Sequence, residues 1–194
     1  MKATAVVPVK GFGAAKRRLG EGIDRAALVE QMLGLVFWQL AGSAMLERVI
    51  VVTAEPRAAE LAEAAGFEAI GDGGAPSHSA AALIGIAAAT DAGATCVALL
   101  PGDCPQLDAS EIDDLLRSVE APSVSIIPDH HGTGTNGLVL APPDAIEPAF
   151  GEGSCERHAS LAREAGIPHS VVALPSLALD IDTPEDLQLW RTSS

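Results

Sequence analysis

Tyrosine is missing from this 194-residue chain, and the other aromatics are scarce, with two Trp and four Phe. A core without bulky rings must be filled by Val, Leu, Ile and Ala, which suits helices laid on a buried sheet. Basic residues are also few: 12 Lys and Arg face 26 Asp and Glu, for a net charge of -14. Nucleic acid and anionic membrane are poor partners for such a surface, because both demand basic groups to displace counterions. Cysteine is nearly as rare. Cys96, Cys104 and Cys155 form no CxxC pair and are odd in number, which argues against a disulfide framework or a structural zinc site. Reduced thiols in a cytoplasmic protein are expected. Long apolar runs are absent too, since Gly, Asp or Pro interrupts each one, and MKATAVVPVKG is too brief an apolar stretch for a signal peptide. A soluble protein follows.

What is present points to a packed fold. Hydrophobic residues at 48% and charged residues at 20% predict a sizeable core rather than disorder, and the length suits a single domain spanning residues 1–194. Strand and helix signals alternate. The pattern predicts strands over Ala3–Val9, Arg48–Thr53, Phe67–Ile70 and Thr95–Leu100, then Ser123–Pro128, Gly137–Leu140, His169–Ala173 and Leu177–Ile181. Helices are predicted over Arg25–Leu40, with Leu28, Met32, Leu35 and Val36 at helical spacing, and over Arg57–Ala65, Ser79–Ala92, Asp108–Val119 and Cys155–Ala165. Ser110 is a cap candidate for the fourth of these, and Thr183-Pro184-Glu185-Asp186 opens a last helix. The early β-α-β-α order implies parallel strands with helices on both faces, and the later hairpin-like segments imply a mixed sheet.

In open α/β sheets ligands bind beyond the carboxyl ends of strands, and four clusters fall there. The loop Val7-Pro8-Val9-Lys10-Gly11-Phe12-Gly13-Ala14-Ala15-Lys16-Arg17-Arg18 follows the first strand. It is neither a Walker A loop nor a dinucleotide fingerprint, yet its glycines and cations suit a triphosphate. Lys2, Lys10, Lys16, Arg17, Arg18 and Arg25 make up half of all basic residues, so an acidic protein carries one basic corner. In Leu100-Pro101-Gly102-Asp103-Cys104-Pro105 and Leu179-Asp180-Ile181-Asp182-Thr183-Pro184, carboxylates sit at strand ends. Asp180 and Asp182, two apart on a strand, would share a face, and such hard oxygen donors suit Mg2+ bound together with phosphates. Singly, each aspartate also reads as a turn or cap residue. The fourth cluster, Pro128-Asp129-His130-His131-Gly132-Thr133-Gly134-Thr135-Asn136-Gly137, has hydroxyls and glycines fit to surround a phosphate or carboxylate. Further on, Gly151-Glu152-Gly153-Ser154 precedes a helix that Ser154 is placed to cap. Adjacent His130 and His131 do not converge on one zinc ion.

The combination PVKGFGAAKRRL, LLPGDCP, PDHHGTGTNGLVL, FGEGSCERH and LALDIDTPEDL closely resembles the guanylyltransferases of coenzyme F-420 biosynthesis. These enzymes use 2-phospho-L-lactate or phosphoenolpyruvate. The similarity runs from roughly Thr4 to Leu187. It implies a three-layer, Rossmann-like nucleotidyltransferase fold with a mixed, mostly parallel sheet. It also implies transfer of GMP from GTP to a small phosphorylated carboxylic acid, with release of pyrophosphate. By resemblance, Asp103, Asp180 and Asp182 hold Mg2+, and Thr135, Gly151 and Ser154 hold the acid. Lys10, Gly11, Lys16, Arg18 and Ser79 face the nucleotide, with Asp103, Lys16 and Arg18 as the catalytic group. Two departures stand out: Arg17 replaces the Ser of the common AKSRL, and His78-Ser79 replaces a common Leu-Asn. A cytidylyl- or molybdenum-cofactor-type transferase and a non-catalytic nucleotide-binding protein are the alternatives, and nothing in the residues opposes a homodimer.

Overall fold

The computed structural model describes residues 2–12, 19 and 23–193. Seven strands form one sheet in the order β3-β2-β1-β4-β6-β5-β7. They are β1 (Ala3–Pro8), β2 (Leu46–Val52), β3 (Glu68–Ile70), β4 (Cys96–Leu99), β5 (Ser123–Pro128), β6 (Thr135–Ala141) and β7 (His169–Val171). All neighbours pair parallel except β6, which runs against both β4 and β5. Among the described residues six helices cover the faces: α1 (Arg25–Ala41), α2 (Pro56–Ala64), α3 (His78–Asp91), α4 (Ala109–Ser118), α5 (Ser154–Glu164) and α6 (Pro184–Ser193).

The period-two alternation of the strands sorts their side chains into two cores. Ala3, Ala5 and Val7 of β1, with Val49 and Val51 of β2, pack under α1, α2, α4 and α6. Val6, Ile50 and Val52 face the other way, onto α3 and α5. The result is three layers, helix on sheet on helix. Without large rings the α3 layer sits very close. A Cβ at Gly85 would collide with Val6 Cγ1 and come within 3.0 Å of Val52 Cγ2, so only a small-residue helix fits over the centre of the sheet.

Local chemistry explains most element ends. Asp24 Oδ1 accepts from the Ala27 N–H at 3.1 Å and starts α1. At α6, Thr183 Oγ1 accepts from the Asp186 N–H at 3.2 Å, while Asp186 Oδ2 accepts from the Thr183 N–H at 2.8 Å, a reciprocal capping box. Leu187 and Trp190 are buried against the sheet. A buried side chain of leucine size contributes about 1.5–3 kcal/mol, which anchors the segment entering α6.

Four expectations from the sequence are corrected. The cap of α4 is Asp108, whose Oδ1 accepts from the Ser110 N–H at 2.8 Å; Ser110 itself lies inside the first turn. Leu35 is partly exposed rather than part of the apolar stripe of α1. β6 begins at Thr135, two residues earlier than its apolar run, because Thr135 pairs with Pro128. Leu177–Ile181 is not a strand: Pro175–Leu177 forms a 3-10 turn, and the chain from there to α6 is irregular. The three cysteines are buried and free. Among the described residues no helix is long and apolar enough to cross a membrane.

Candidate active site

A cleft of about 450 Å³ opens beyond the carboxyl ends of β1 and β4. This is where the strand order turns from β2-β1 to β4, the position at which α/β sheets bind ligands. Val9 and Lys10, leaving β1, form one rim, and Gly102 and Asp103, leaving β4, form the floor. Val29 and Leu33 of α1 give an apolar wall.

Asp103, Asp180 and Asp182 all line this cleft, although the second lies 77 positions after the first. A backbone bond joins them: the Ile181 N–H donates to the Asp103 carbonyl at 3.2 Å. Ile181 is fully buried between the two aspartates, so their side chains turn outward together even though the segment is not a strand. Burial, then the charge of Asp103 and that of Asp182, raise the Asp180 carboxyl above the usual range, against the bond from Asn136. Among the described residues no three His, Cys, Asp or Glu side chains form a ready-made metal cage. Mg2+ does not require one, since it keeps waters and takes only one or two carboxylates alongside phosphates. A carboxylate such as Asp180, whose ionisation burial and acidic neighbours oppose, is a donor that such an ion relieves.

Across the cleft lie Thr135, at the start of β6, and Gly151, whose φ of +122° suits glycine alone. Ser154 stands behind Gly151, its N–H donating to the Gly151 carbonyl at 3.1 Å. The expected Ser154 cap is not found: Gly153, in the left-handed region, is the N-cap of α5. Ser154 is instead the first helical residue, and its Oγ is buried without a hydrogen-bond partner. Thr135 Oγ1 lies 3.0 Å from His158 Nδ1, and His158 Nε2 accepts from the Ala149 N–H at 2.9 Å. His158 is fully buried; burial, with the charge of Arg157, pushes it down to about 4 and keeps the ring neutral.

Just beyond β1, Lys10 lines the cleft. Gly11 sits in a turn tied down by Glu55, whose Oε2 accepts from the Phe12 N–H at 3.0 Å. Lys16 and Arg18, together with Arg17, lie outside the described residues. Ser79 stands beside the cleft rather than lining it; its Oγ accepts from the Phe150 N–H at 2.9 Å and ties α3 to the loop before α5. The preceding residue, His78, lines the cleft instead, with its ring edge-on to Phe150 at 4.9 Å. Burial lowers the His78 imidazole, with Lys10 adding to the effect and Asp103 opposing it.

Three residues here were given no role from the sequence: Asn136, His78 and His158. Asn136 Nδ2 donates to the Leu177 carbonyl at 2.8 Å, the Ala178 carbonyl at 3.3 Å and Asp180 Oδ1 at 3.3 Å, holding the aspartate segment to β6. The available signal was an amide directly after a run of glycines and hydroxyls. His158 carried a plainer one, a polar ring on the otherwise apolar face formed by Cys155, Ala159 and Ala162.

The family model for guanylyl transferases described as CofC like matches residues 3–189. A phosphoenolpyruvate guanylyltransferase of Conexibacter woesei is 43% identical, the alignment covering 98% of this chain and 88% of that protein. A 3-phospho-D-glycerate guanylyltransferase of Phenylobacterium zucineum is 37% identical, over 95% of this chain and 87% of its own. In architecture, a provisionally assigned nucleotide-diphospho-sugar transferase from Desulfovibrio desulfuricans G20 superposes with a TM-score of 0.79 at 18% identity, covering 100% of this chain and 89% of that one. The mixed sheet, the cleft at its switch point and a match along nearly the whole sequence agree, and the chain belongs to the CofC-like guanylyl transferase family.

Proposed function

We propose that this protein transfers GMP from GTP to the phosphate of a three-carbon phospho-acid, phosphoenolpyruvate or 2-phospho-L-lactate, in coenzyme F-420 biosynthesis. The observation that carries the reading is the convergence of Asp103, Asp180 and Asp182 with Thr135 and Gly151 around one cleft. The acceptor phosphate is already a nucleophile at neutral pH, so no Ser-His-Asp or Cys-His pair is called for. One of its oxygens forms a bond to the α-phosphorus of GTP. The bond from that phosphorus to the bridging oxygen breaks, and pyrophosphate departs with the electron pair.

Bringing two polyanions together is the main barrier, and position and charge are what lower it. Mg2+ held by Asp103, Asp180 and Asp182 together with the phosphates supplies positive charge against that repulsion. Lys10 adds charge at the rim, and Lys16 and Arg18 are the candidates to steady the leaving pyrophosphate. Gly11 completes the nucleotide side, and Ser79 acts there at one remove, through its bond to the Phe150 N–H at the cleft wall. Thr135, Gly151 and Ser154 fix the acceptor, the hydroxyl of Thr135 and the N-terminus of α5 offering donors to an anion.

The test is to incubate the protein with each of GTP, ATP, CTP and UTP and a panel of phosphoenolpyruvate, 2-phospho-L-lactate and 3-phospho-D-glycerate, following pyrophosphate. Release with GTP and one of the first two acids is expected, and competition between those two identifies the preferred acceptor. Tight GTP binding with no pyrophosphate from any acid would overturn the proposal in favour of a nucleotide-binding protein without this activity.

A further inference from the structure

We infer that His158 is a positioning residue for the acceptor: it donates from Nδ1 to Thr135 Oγ1 and thereby turns the threonine's own hydroxyl proton into the cleft, towards the anion. The inference rests on the proposal that Thr135 faces the acid.

The argument is an accounting of protons. The Ala149 N–H can only donate, and it donates to His158 Nε2 at 2.9 Å. That nitrogen must therefore present a lone pair. In a neutral imidazole the proton then sits on Nδ1. A charged ring would carry a proton on both nitrogens and clash with the Ala149 N–H; full burial beside Arg157 opposes that form. The 3.0 Å contact to Thr135 thus runs from Nδ1–H to Oγ1. A threonine hydroxyl has one proton to give. With His158 occupying an acceptor position, that proton is free to serve another group, and Thr135 lines the cleft. Without this arrangement the hydroxyl rotates and can present a lone pair to an anion.

The same ring braces the other wall of the acceptor side. Ala149 stands two residues before Gly151, and Arg157 reinforces the connection, with Nη1 donating to the Ala149 carbonyl at 2.8 Å and Nη2 to the Glu152 carbonyl at 2.7 Å. Phe150 packs edge-on against His158, its ring centroid 5.3 Å away, which limits rotation of the imidazole. One turn of α5 therefore sets both the hydroxyl on β6 and the loop that holds Gly151. A leucine would fill such a site without these two bonds.

Two near-isosteric variants separate the ends of the ring. His158→Gln offers a carbonyl near Nε2 for Ala149 and loses the donor to Thr135; His158→Asn keeps an N–H near Nδ1 and loses the acceptor for Ala149. In the pyrophosphate assay His158→Gln is expected to raise the KM for the acceptor about tenfold or more, leave the KM for GTP unchanged, and add nothing to Thr135→Val in the double variant. His158→Asn is expected to retain more of the acceptor affinity than His158→Gln. An unchanged acceptor KM in His158→Gln, or an undiminished further rise in the Thr135→Val background, would overturn the inference. Long-range 15N–1H NMR of the wild-type protein at pH 7 reads the ring without any turnover: an Nδ1–H signal supports the inference, and an Nε2–H tautomer or an imidazolium overturns it. If wild-type protein turns over no acid at all, the proposed reaction and the acceptor role of His158 fall together, while the NMR signal still decides the direction of the bond.

Discussion

Replacing Asp180 by Asn is expected to weaken the enzyme and strengthen the fold. Burial and the charges of Asp103 and Asp182 hold the Asp180 carboxyl above its ordinary range. A raised carboxyl means the folded state binds the proton more tightly than the unfolded one, so ionisation of Asp180 at neutral pH opposes folding. Asparagine has the same shape, and its carbonyl oxygen preserves the acceptor that Asn136 Nδ2 finds at 3.3 Å. What changes is one negative charge among three. Two unit charges within a few ångströms near a protein surface repel by up to a few kcal/mol before screening; after screening by water and salt a net gain of about 1 kcal/mol is a reasonable expectation. In a chain of this length that corresponds to a rise in Tm of about 2–4 °C, read by calorimetry in EDTA so that no cation masks the repulsion. Turnover, followed as pyrophosphate, should fall by about 100-fold or more, the usual consequence of losing one preorganised charge-stabilising group. A lower Tm together with near-normal turnover would refute the reasoning, because Asp180 would then be a structural residue and not a site carboxylate.

Other expectations are simpler to state. Chelation by EDTA should abolish pyrophosphate release and Mg2+ should restore it, whereas retained activity in EDTA would remove the metal from the proposal. Asp113→Ala removes an acceptor from the Ser43 hydroxyl and from the Ala44 and Met45 N–H groups, the last keeping Ser43 Oγ at 3.3 Å, and should lower stability by about 3 kcal/mol in urea unfolding. Burial alone would raise the Asp113 carboxyl, but those donors, with Arg117, hold it below the usual range. Its contribution should therefore be complete above about pH 4, the ordinary aspartate value, and be lost as pH falls towards the lowered one; equal acid sensitivity of wild type and Asp113→Ala would contradict this. Gly85→Ala should cost about 1–3 kcal/mol through its collision with Val6, less about 1 kcal/mol of helix propensity. A stabilised variant in the same unfolding assay would show that the layer can part.

The layers were legible because alternation and helical spacing are local. The apolar runs behind β1, β2 and β4 and the stripe of α1 show directly in the residues. So did the start of the last helix at Thr183-Pro184-Glu185-Asp186, although the reciprocal bonds between Thr183 and Asp186 show only in the structure. What was not legible depends on partners far away. The segment 177–182 carries an extended pattern, but its backbone is claimed by the Asn136 amide and the Asp103 carbonyl, and no periodicity foretells that. Ser110 and Ser154 both look like caps; Asp108 outcompetes the first, and a left-handed Gly153 displaces the second. The meeting of Asp103 with Asp180 and Asp182 came from matching motifs, and the cleft that unites them came from the sheet order.

The reversal of β6 has a consequence for how such proteins diversify. Because this strand alone runs downward through the sheet, its first residues arrive at the rim that its neighbours reach with their last. Thr135 and Asn136 are delivered there by the turn from β5, a part of the chain remote from the loops after β1 and β4. Changes in the length or composition of that turn can therefore reshape the side proposed to receive the small acid while leaving Gly102 and Asp103 on the floor untouched. Under the proposed reading, selectivity for the smaller reactant is then divided between this hairpin and the loop that precedes α5.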